Sequence, residues 1–332
     1  PSREEKLKKI GDYGSIAGIT ASDGWRVVVP DQHGDWLRQR DSGFSKFVPM
    51  GDKKTNGLAL FENFSKGVLT ARDAWCYNAS ASKVAVNMQR TIDFYNTEVK
   101  RYAKVKQDSA SGRLPIEAFL TIDSTKGTWD VAQKTGVERG RRAEFEQSAI
   151  RRSLYRPFSK SGVYFAGFFN TRRYQLPQLF PHADAANRVI SIKGNWKGVG
   201  QLALMIDCTP CDLPDGGVQC FPLYIYDTVD AAPEEQRDQG GLFGAVDAPM
   251  LVRREALTDD GLAYFVAAYP GEKIVKEDVF YYVYGLLHSP EYLERFADNL
   301  GKELPRIPCV TSAGHFWAFG RAGRRLADLH LN

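Results

Sequence analysis

The chain has 332 residues, about twice the length of an ordinary domain, and its 43% apolar and 25% charged residues are close to globular averages. These values exclude a disordered tail, a fibrous protein and a small disulfide-stapled scaffold. The net charge of +4, from 44 basic and 40 acidic residues, is too small to identify a partner by itself. No apolar run reaches the roughly 18 residues of a membrane span, and the N-terminus lacks a signal peptide, so we expect a cytoplasmic protein with no membrane partner.

The cysteines and histidines form no pattern typical of a metal site. Five cysteines, an odd number without a secretory signal, predict reduced thiols rather than disulfides. Cys208 and Cys211 form a C-x-x-C pair with Cys220 nine residues later, but no fourth ligand follows at zinc-site spacing. Buried free thiols are therefore favoured over a structural zinc, and we predict no metal site.

The N-terminal half of the chain combines turns with one long helix. Turn-forming pairs bound short apolar runs such as Trp25–Pro30 and predict strands and loops over the first 60 residues. From Ser80 or Ser82 onward, apolar residues repeat at steps of three and four as far as Tyr102, which predicts a long amphipathic helix. The polar, glycine-containing residues 103–140 predict projecting strands or loops, and a helix is expected over Glu144–Leu154.

The centre of the sequence is rich in predicted strands and the last third in predicted helices. Apolar stretches over residues 162–169, 188–192, 201–206 and 221–226 predict strands. The acidic segment that follows is typical of a linker. We therefore predict an α+β fold with three parts: a mixed, β-rich body with the long helix over residues 1–230, a linker over 231–255, and a helical subdomain over 256–332.

The charge is unevenly distributed along the chain. Residues 134–173 contain ten basic and three acidic residues, a net charge of +7, while the remainder sums to −3. Most of these cations are arginines, which suit bidentate contacts to phosphate or guanine. The pattern predicts a nucleic-acid surface, and a solvated, salt-bridged face is the alternative.

Motifs for catalysis are missing. A methyltransferase that acts on an exocyclic amino group needs a glycine-rich cofactor loop and an N/D-P-P-Y/F tetrapeptide for the extruded base, and neither occurs. The run Gly194–Gly200 has neither G-x-G-x-x-G nor Walker A spacing. We therefore expect no catalytic residue and no cofactor in this chain, which favours binding over chemistry.

Several stretches in sequence order resemble the C-terminal specificity region of type ISP restriction-modification enzymes. The stretches lie in nearly every part of the chain. The matching segments are Pro30–Asp41, Phe44–Phe47, Arg72–Asn78, Asn87–Arg90, Phe94–Asn96, Ser153–Phe158, Tyr174–Gln175, Gly216–Tyr224, Glu277–Tyr292 and Leu304–Pro308. One departure is Gly127–Lys134, where the family tends to have a Ser-Trp-Ser-Arg-Gly-like stretch and this chain keeps only the tryptophan.

The resemblance implies an α+β domain that recognises double-stranded DNA beside an adenine methyltransferase of the same polypeptide. In such a parent, S-adenosylmethionine, ATP and magnesium would be used only by the other domains. Ser2–Leu7 resembles the exit from the methyltransferase, and Leu326–Asn332 resembles a helix near the end of the parent, so we expect an excised, monomeric domain. A module that docks the other domains is the alternative function.

The expected DNA contacts divide into phosphate and base contacts. The basic segment with Lys46, Lys53 and Lys54 would bind phosphates, and side chains on projecting loops would read bases in the major groove. The candidate base readers are Trp129, Arg139, Arg141, Asn170, Arg172 and Arg173. The complete set of candidate DNA-binding residues is Lys46, Lys53, Lys54, Trp129, Lys134, Arg139, Arg141, Arg142, Arg152, Arg156, Lys160, Asn170, Arg172 and Arg173. For Arg72, Trp75 and Asn78 we expect packing or domain docking.

Overall fold

The computed structural model describes residues 2–14, 27–53, 57–108, 115–194, 196–212, 217–229 and 250–332. The chain divides into two compact units, residues 1–40 and residues 41–332. No helix in these described ranges is long and apolar enough to cross a membrane.

The described part of the first unit contains one helix, and residues 27–40 form turns and bends. Helix α1 (Arg3–Tyr13) begins after Ser2, whose hydroxyl accepts from Glu5 N–H while the Glu5 carboxylate accepts from Ser2 N–H. This capping box gives a helix where only strands and loops were predicted. Residues 27–30 are irregular rather than a strand, and the rest of the predicted Trp25–Pro30 run lies outside the described residues.

The second unit alternates helices and strands. Its described helices are α2 (Asp73–Cys76), α3 (Ala81–Asp108), α4 (Ile116–Phe119), α5 (Val131–Glu138), α6 (Leu176–Leu179), α7 (Asp259–Ala268), α8 (Lys276–Leu286), α9 (Pro290–Arg295), α10 (Ala297–Leu300) and α11 (Ala313–Leu331). Its described strands are β1 (Val48–Pro49), β2 (Tyr77–Asn78), β3 (Ile150–Arg156), β4 (Ser159–Tyr164), β5 (Val189–Lys193), β6 (Ala203–Ile206), β7 (Thr209–Pro210), β8 (Val218–Pro222), β9 (Tyr224–Val229), β10 (Met250–Glu255) and β11 (Arg306–Ile307).

The described strands form four small sheets. The largest has the order β2-β4-β3-β7, in which only the β3–β7 pair is parallel. A second sheet has the antiparallel order β6-β5-β8. Strands β1 and β11 pair across the ends of the unit, and β9 pairs with β10. Helices and mixed sheets together confirm the predicted α+β fold.

Helix α3 confirms the predicted amphipathic helix and joins two parts of the core. Val84, Met88 and Ile92 pack with Val163 and other residues of the sheet that contains β3 and β4. The later residues of the same apolar stripe pack in a separate cluster with α4, with Leu120 directly after α4, and with α5. That cluster contains Tyr95, Val99, Tyr102, Ile116, Phe119, Leu120 and Val137. One helix therefore positions both the central sheet and the segment that follows it.

Two predictions for the middle of the chain are wrong. Residues 116–138 contain α4 and α5 rather than only strands and loops, because Asp130 and Gln133 form a capping box that starts α5. The helix expected over Glu144–Leu154 is a short 3-10 turn at Gln147–Ala149 followed by strand β3, which pairs with β4 across a tight turn at Phe158. Pairing with β4 overrides a local apolar spacing that also fits a helix.

The predicted strands over 188–192, 201–206 and 221–226 correspond to β5, β6 and the adjoining β8 and β9. The stretch 162–169 contributes only the end of β4, after which Phe165 begins a turn. The predicted linker lies largely outside the described residues, and its last part, residues 250–255, is β10.

The C-terminal helices pack on the sheet β6-β5-β8 and share its apolar core. Helices α8 and α11 approach closely at two glycines: a Cβ on Gly285 would meet the Phe319 carbonyl, and one on Gly323 the Tyr281 carbonyl. The helical segment therefore braces the body. Independent folding of residues 1–230 and 256–332 stays a prediction.

The cysteines of the C-x-x-C pair lie in different apolar clusters. Cys208 packs beside Leu154, while Cys211 packs near Cys220 in the core of the central sheet. Burial raises the pKa of Cys208 and of Cys220 to about 12, so both are thiols at neutral pH. Within the described ranges, no three His, Cys, Asp or Glu side chains are grouped as a metal site.

Candidate nucleic-acid interface

Helix α3 holds the backbone of residues 139–143, here called the basic loop. The Tyr95 hydroxyl donates to the Arg141 carbonyl at 2.6 Å. The Asn96 amide donates to the Ala143 carbonyl at 2.8 Å and accepts from Ala143 N–H at 3.0 Å. Gly140 has φ +70°, which lets the chain turn out of α5 into this loop. Because α3 contacts the loop through main-chain groups, the arginine side chains are left to point elsewhere.

The three arginines of the basic loop are exposed. Arg139, Arg141 and Arg142 form no ion pair with any residue of the described ranges. The Arg141 guanidinium lies 4.5 Å from the centre of the Phe168 ring, a cation–π contact that leaves its hydrogen-bond donors available. The loop therefore offers donors suited to phosphates or base edges.

The basic loop borders a cleft of about 710 Å³, here called the arginine cleft. It is lined by Arg141, Arg142, Arg151 and Arg173, by the rings of Phe165 and Phe168, and by Glu144 and Glu146 among others. Four cations and two carboxylates give this group of side chains a positive charge, which favours an anionic ligand.

Arg151 and Arg173 share one aromatic ring in this cleft. Their guanidinium carbons lie 4.5 Å and 5.2 Å from the centre of the Phe165 ring. Arg151 donates to the carbonyls of Phe180 and Pro181. Burial and the neighbouring charge of Arg173 lower the pKa of Arg151 to about 10, and burial also lowers the pKa of Arg173.

Arg72 is the buried residue that fixes the turns around the cleft. Its side chain is 3% exposed and donates to Gln133 Oε1 at 2.6 Å and to the Phe169 carbonyl at 3.1 Å. It also donates to the Thr128 carbonyl at 3.3 Å and lies 3.5 Å from Asp130. Arg72 therefore ties the start of α5 to the turn that carries Phe168, which confirms the expectation of packing for this residue.

Asn170 was predicted to read a base but is buried. It is 5% exposed, and its amide donates to the Tyr164 carbonyl at 3.0 Å. In this position the side chain supports the turn after β4 and does not reach the surface, so we correct its role to packing.

Three other candidates form contacts within the protein. The Trp129 indole N–H donates to the Thr121 carbonyl at 2.8 Å, and its ring packs 5.6 Å from that of Phe94. Lys160 lies 3.2 Å from Asp207 and donates to the Leu331 carbonyl at 3.0 Å, at the end of α11. Lys134 lies 3.4 Å from Glu117.

The remaining arginine candidates are exposed. Within the described ranges the Arg152 guanidinium is unpaired, and the Arg172 guanidinium donates only to the carbonyl of its neighbour Thr171. The Arg156 guanidinium stacks 4.0 Å from the centre of the Tyr155 ring. These residues stay predictions as DNA contacts, since none lines the arginine cleft.

Neither Lys46 nor Lys53 lines the arginine cleft. Lys46 is exposed at the end of a 3-10 helix, Ser42–Lys46. Lys53 donates to the Phe64 carbonyl at 3.0 Å and covers the Phe64 ring, and burial lowers its pKa. Lys54 lies outside the described residues.

Sequence reasoning missed the aromatic half of the site. Arg151 was counted in the basic segment but not chosen, and Phe165 and Phe168 were assigned to a strand. Tyr95 and Asn96 lie in a stretch that resembles the family, which was the available signal for their role.

Comparison with known proteins identifies the family. The sequence profile of the Type ISP C-terminal specificity domain matches residues 59–332. A search of curated proteins finds no match.

Solved structures of much longer chains are similar throughout. The ATP-dependent Type ISP restriction-modification enzyme LlaBIII bound to DNA is 29% identical with a TM-score of 0.76, and the match covers 100% of this chain and 19% of that one. A nuclease-deletion mutant of the Type ISP enzyme LlaGI with a DNA substrate mimic is 28% identical, with a TM-score of 0.74 and coverage of 100% and 23%. A DrdV–DNA complex is 26% identical with a TM-score of 0.72, and the match covers 94% of this chain and 28% of that one. This chain thus spans only 19–28% of the length of these relatives. It belongs to the Type ISP C-terminal specificity domain family.

Proposed function

We propose that this domain recognises a specific double-stranded DNA target for a restriction-modification enzyme. The observation that carries the proposal is the basic loop, whose backbone is held by Tyr95 and Asn96 while its three arginines are exposed and have no ion-pair partner among the described residues. A fixed backbone with free guanidinium groups suits base-edge readout, in which each good bidentate pair discriminates by about 1–3 kcal/mol. Similarity to DNA-bound relatives supports the same function.

The described contacts support different proposed roles for the arginines. Arg139, Arg141 and Arg142 are the base-reading candidates, because they are exposed on a positioned loop. Arg152 and Arg172 are candidates for phosphate contacts at the surface. Trp129 and Asn170 support the loops, which removes them from the predicted base readers.

The parent protein is part of the proposal. We infer an adenine methyltransferase in the same polypeptide and an ATP-dependent restriction activity, with S-adenosylmethionine, ATP and magnesium used by those other domains. The domain itself would act without catalysis, as a monomer in the cytoplasm. Its recognition contacts would offset the few kcal/mol that extruding an adenine costs only at the correct site.

Fluorescence anisotropy with labelled duplexes tests the function. A duplex bearing the target, identified by mapping methylated bases in the host genome, should bind more tightly than a random duplex, and both affinities should fall steeply with salt. Binding that ignores sequence and salt would refute recognition. A lack of DNA affinity even at about 50 mM salt would favour the alternative, a module that docks other domains of the parent.

A further inference from the structure

Arg173 is a half-buried cation for which the described protein supplies no acceptor. Its side chain forms no hydrogen bond or ion pair with any described residue, and its guanidinium carbon lies 5.2 Å from the centre of the Phe165 ring. Glu146 raises its pKa but lies beyond ion-pair distance and is itself exposed. Burying a charge without a partner costs free energy, so such a group indicates a place where a bound ligand supplies the missing partner.

A second cation increases this cost. Arg151 lies against the same ring, and its donors to Phe180 and Pro181 meet neutral carbonyls rather than carboxylates. The Arg151 Nε is buried without an acceptor. Burial lowers the pKa of Arg151, and repulsion from the Arg173 guanidinium lowers it further. An anion placed between the cleft wall and the basic loop would remove this repulsion.

The neighbouring glycine makes room for the guanidinium. A Cβ built on Gly167 would lie 2.6 Å from Arg173 Nη2 and 3.1 Å from its guanidinium carbon. Any other residue would push the end of the Arg173 side chain aside, although Gly167 does not have the positive φ that would itself demand glycine. The absence of a side chain at this position therefore lets Arg173 lie along the turn between Phe165 and Phe168.

From this geometry we infer an anion site in the arginine cleft, at which Arg173 contacts one phosphodiester of bound DNA and Arg151 supplies a second positive charge. The inference rests on the proposed function for the identity of the anion, since inorganic phosphate has the same chemistry. The site anchors the duplex without reading sequence, because phosphate contacts carry no base information. Its role differs from that of the basic loop, although Arg141 and Arg142 of that loop line the same cleft.

The first arm of the test uses inorganic phosphate and needs no DNA. The melting temperature of the whole 332-residue chain is compared in phosphate and in chloride at equal ionic strength. Phosphate at several times its dissociation constant should raise it by roughly 1–2 °C. Arg173→Gln and Gly167→Ala should each remove this rise. Arg172→Gln, which deletes an adjacent exposed charge that does not line the cleft, should keep it.

The second arm uses duplex DNA. Arg173→Gln should weaken target and random duplexes by the same factor, about 10-fold, and should reduce the slope of log affinity against log salt by about one. Arg321→Gln, which deletes an exposed charge of α11 outside the proposed DNA contacts, should change both less. An equal effect of Arg173→Gln and Arg172→Gln on the phosphate response, or no response to phosphate in the unaltered chain, would overturn the anion site.

The two arms separate this inference from the proposed function. A phosphate response that depends on Arg173, in a chain that binds no duplex, would support the anion site and refute DNA recognition. Duplex binding that is selective but unaffected by Arg173→Gln and Gly167→Ala would leave recognition standing and refute the anion site.

Discussion

The C-terminal region, residues 256–332, and the arginine cleft both contain partly buried arginines, but among the described residues carboxylates pair with them only in the C-terminal region. Arg324 lies 2.7 Å from Glu277 and 2.9 Å from Asp278, and Arg306 lies 3.5 Å from Glu303. In the cleft, Arg151 and Arg173 have no such partner within the described ranges. The same residue type therefore stabilises one region and, in our proposal, binds a ligand in the other.

This difference shows why the charge total was uninformative. Arginines that are neutralised inside the fold and arginines that are left available count equally in a net charge of +4. What separates them is the identity of the acceptor, which is a property of tertiary structure. The predictions below test that distinction from the largest expected effect to the smallest.

Arg72 lies near the cleft, but its guanidinium has hydrogen-bond acceptors and a carboxylate inside the protein. Its loss should therefore destabilise the fold more than any other substitution considered below. Arg72→Ala removes the buried donor to Gln133 Oε1 and to the Phe169 and Thr128 carbonyls and should lower the free energy of unfolding by roughly 3–5 kcal/mol. Urea denaturation measures the change. Arg90→Ala, on an exposed position of α3, is the control and should change stability by less than about 0.5 kcal/mol.

Charge reversal on the basic loop should abolish most DNA affinity. Arg141→Glu with Arg142→Glu should weaken binding of target duplex by about 100-fold or more, because two exposed contacts become repulsive. Anisotropy titration measures it. Arg321→Glu with Arg325→Glu makes the same change of charge on exposed residues of α11 and should have a much smaller effect; equal losses would mean that only net charge matters.

Acid should destabilise the helical region through His288. Burial, with a smaller contribution from the nearby His330, lowers the pKa of His288 to about 4 from 6.5. The folded state then binds fewer protons than the unfolded state, so the contribution of this group is intact above pH 6.5 and is lost as the pH falls toward 4. We expect a loss of roughly 1–3 kcal/mol over this window.

Unfolding in urea at a series of pH values measures this loss. His288→Phe, which removes the titrating ring and keeps an aromatic side chain next to Tyr284, should flatten the profile between these pH values. A profile of unchanged steepness in the variant would contradict the assignment to His288.

The smallest effects compare the two kinds of arginine directly. Arg324→Ala breaks two ion pairs and should lower stability by about 1 kcal/mol. Arg173→Ala, measured in chloride buffer without phosphate, should leave stability within about 0.5 kcal/mol or raise it, because an uncompensated charge is removed. A larger loss for Arg173→Ala than for Arg324→Ala would show that Arg173 is structural.

The sequence predicted the elements that depend on local patterns. The apolar stripe of α3 and the strands β5 and β6 follow from spacing and composition that packing then reinforces. Strand β3 was mistaken for a helix because its apolar spacing fits both, and only pairing with β4 decides between them. Helix α1 was missed because its signal is a capping box rather than an apolar stripe.

The site was predictable in its charge but not in its geometry. The basic segment pointed to Arg139, Arg141, Arg142 and Arg173, all of which lie on or near one cleft. Burial of Asn170 and the internal hydrogen bond of Trp129 depend on contacts across the fold and leave no trace in local sequence. Whether a polar side chain faces solvent is decided by the chain packed against it.

The way α3 holds the basic loop has a consequence for how such domains diversify. The hydrogen bonds of Tyr95 and Asn96 to the basic loop use only carbonyl and N–H groups of residues 141 and 143, which every residue type but proline provides in full. Substitutions at positions 139, 141 and 142 can therefore exchange one set of base contacts for another at little cost to folding. A lineage, or an engineer, can search for new targets at these three positions while the scaffold stays constant.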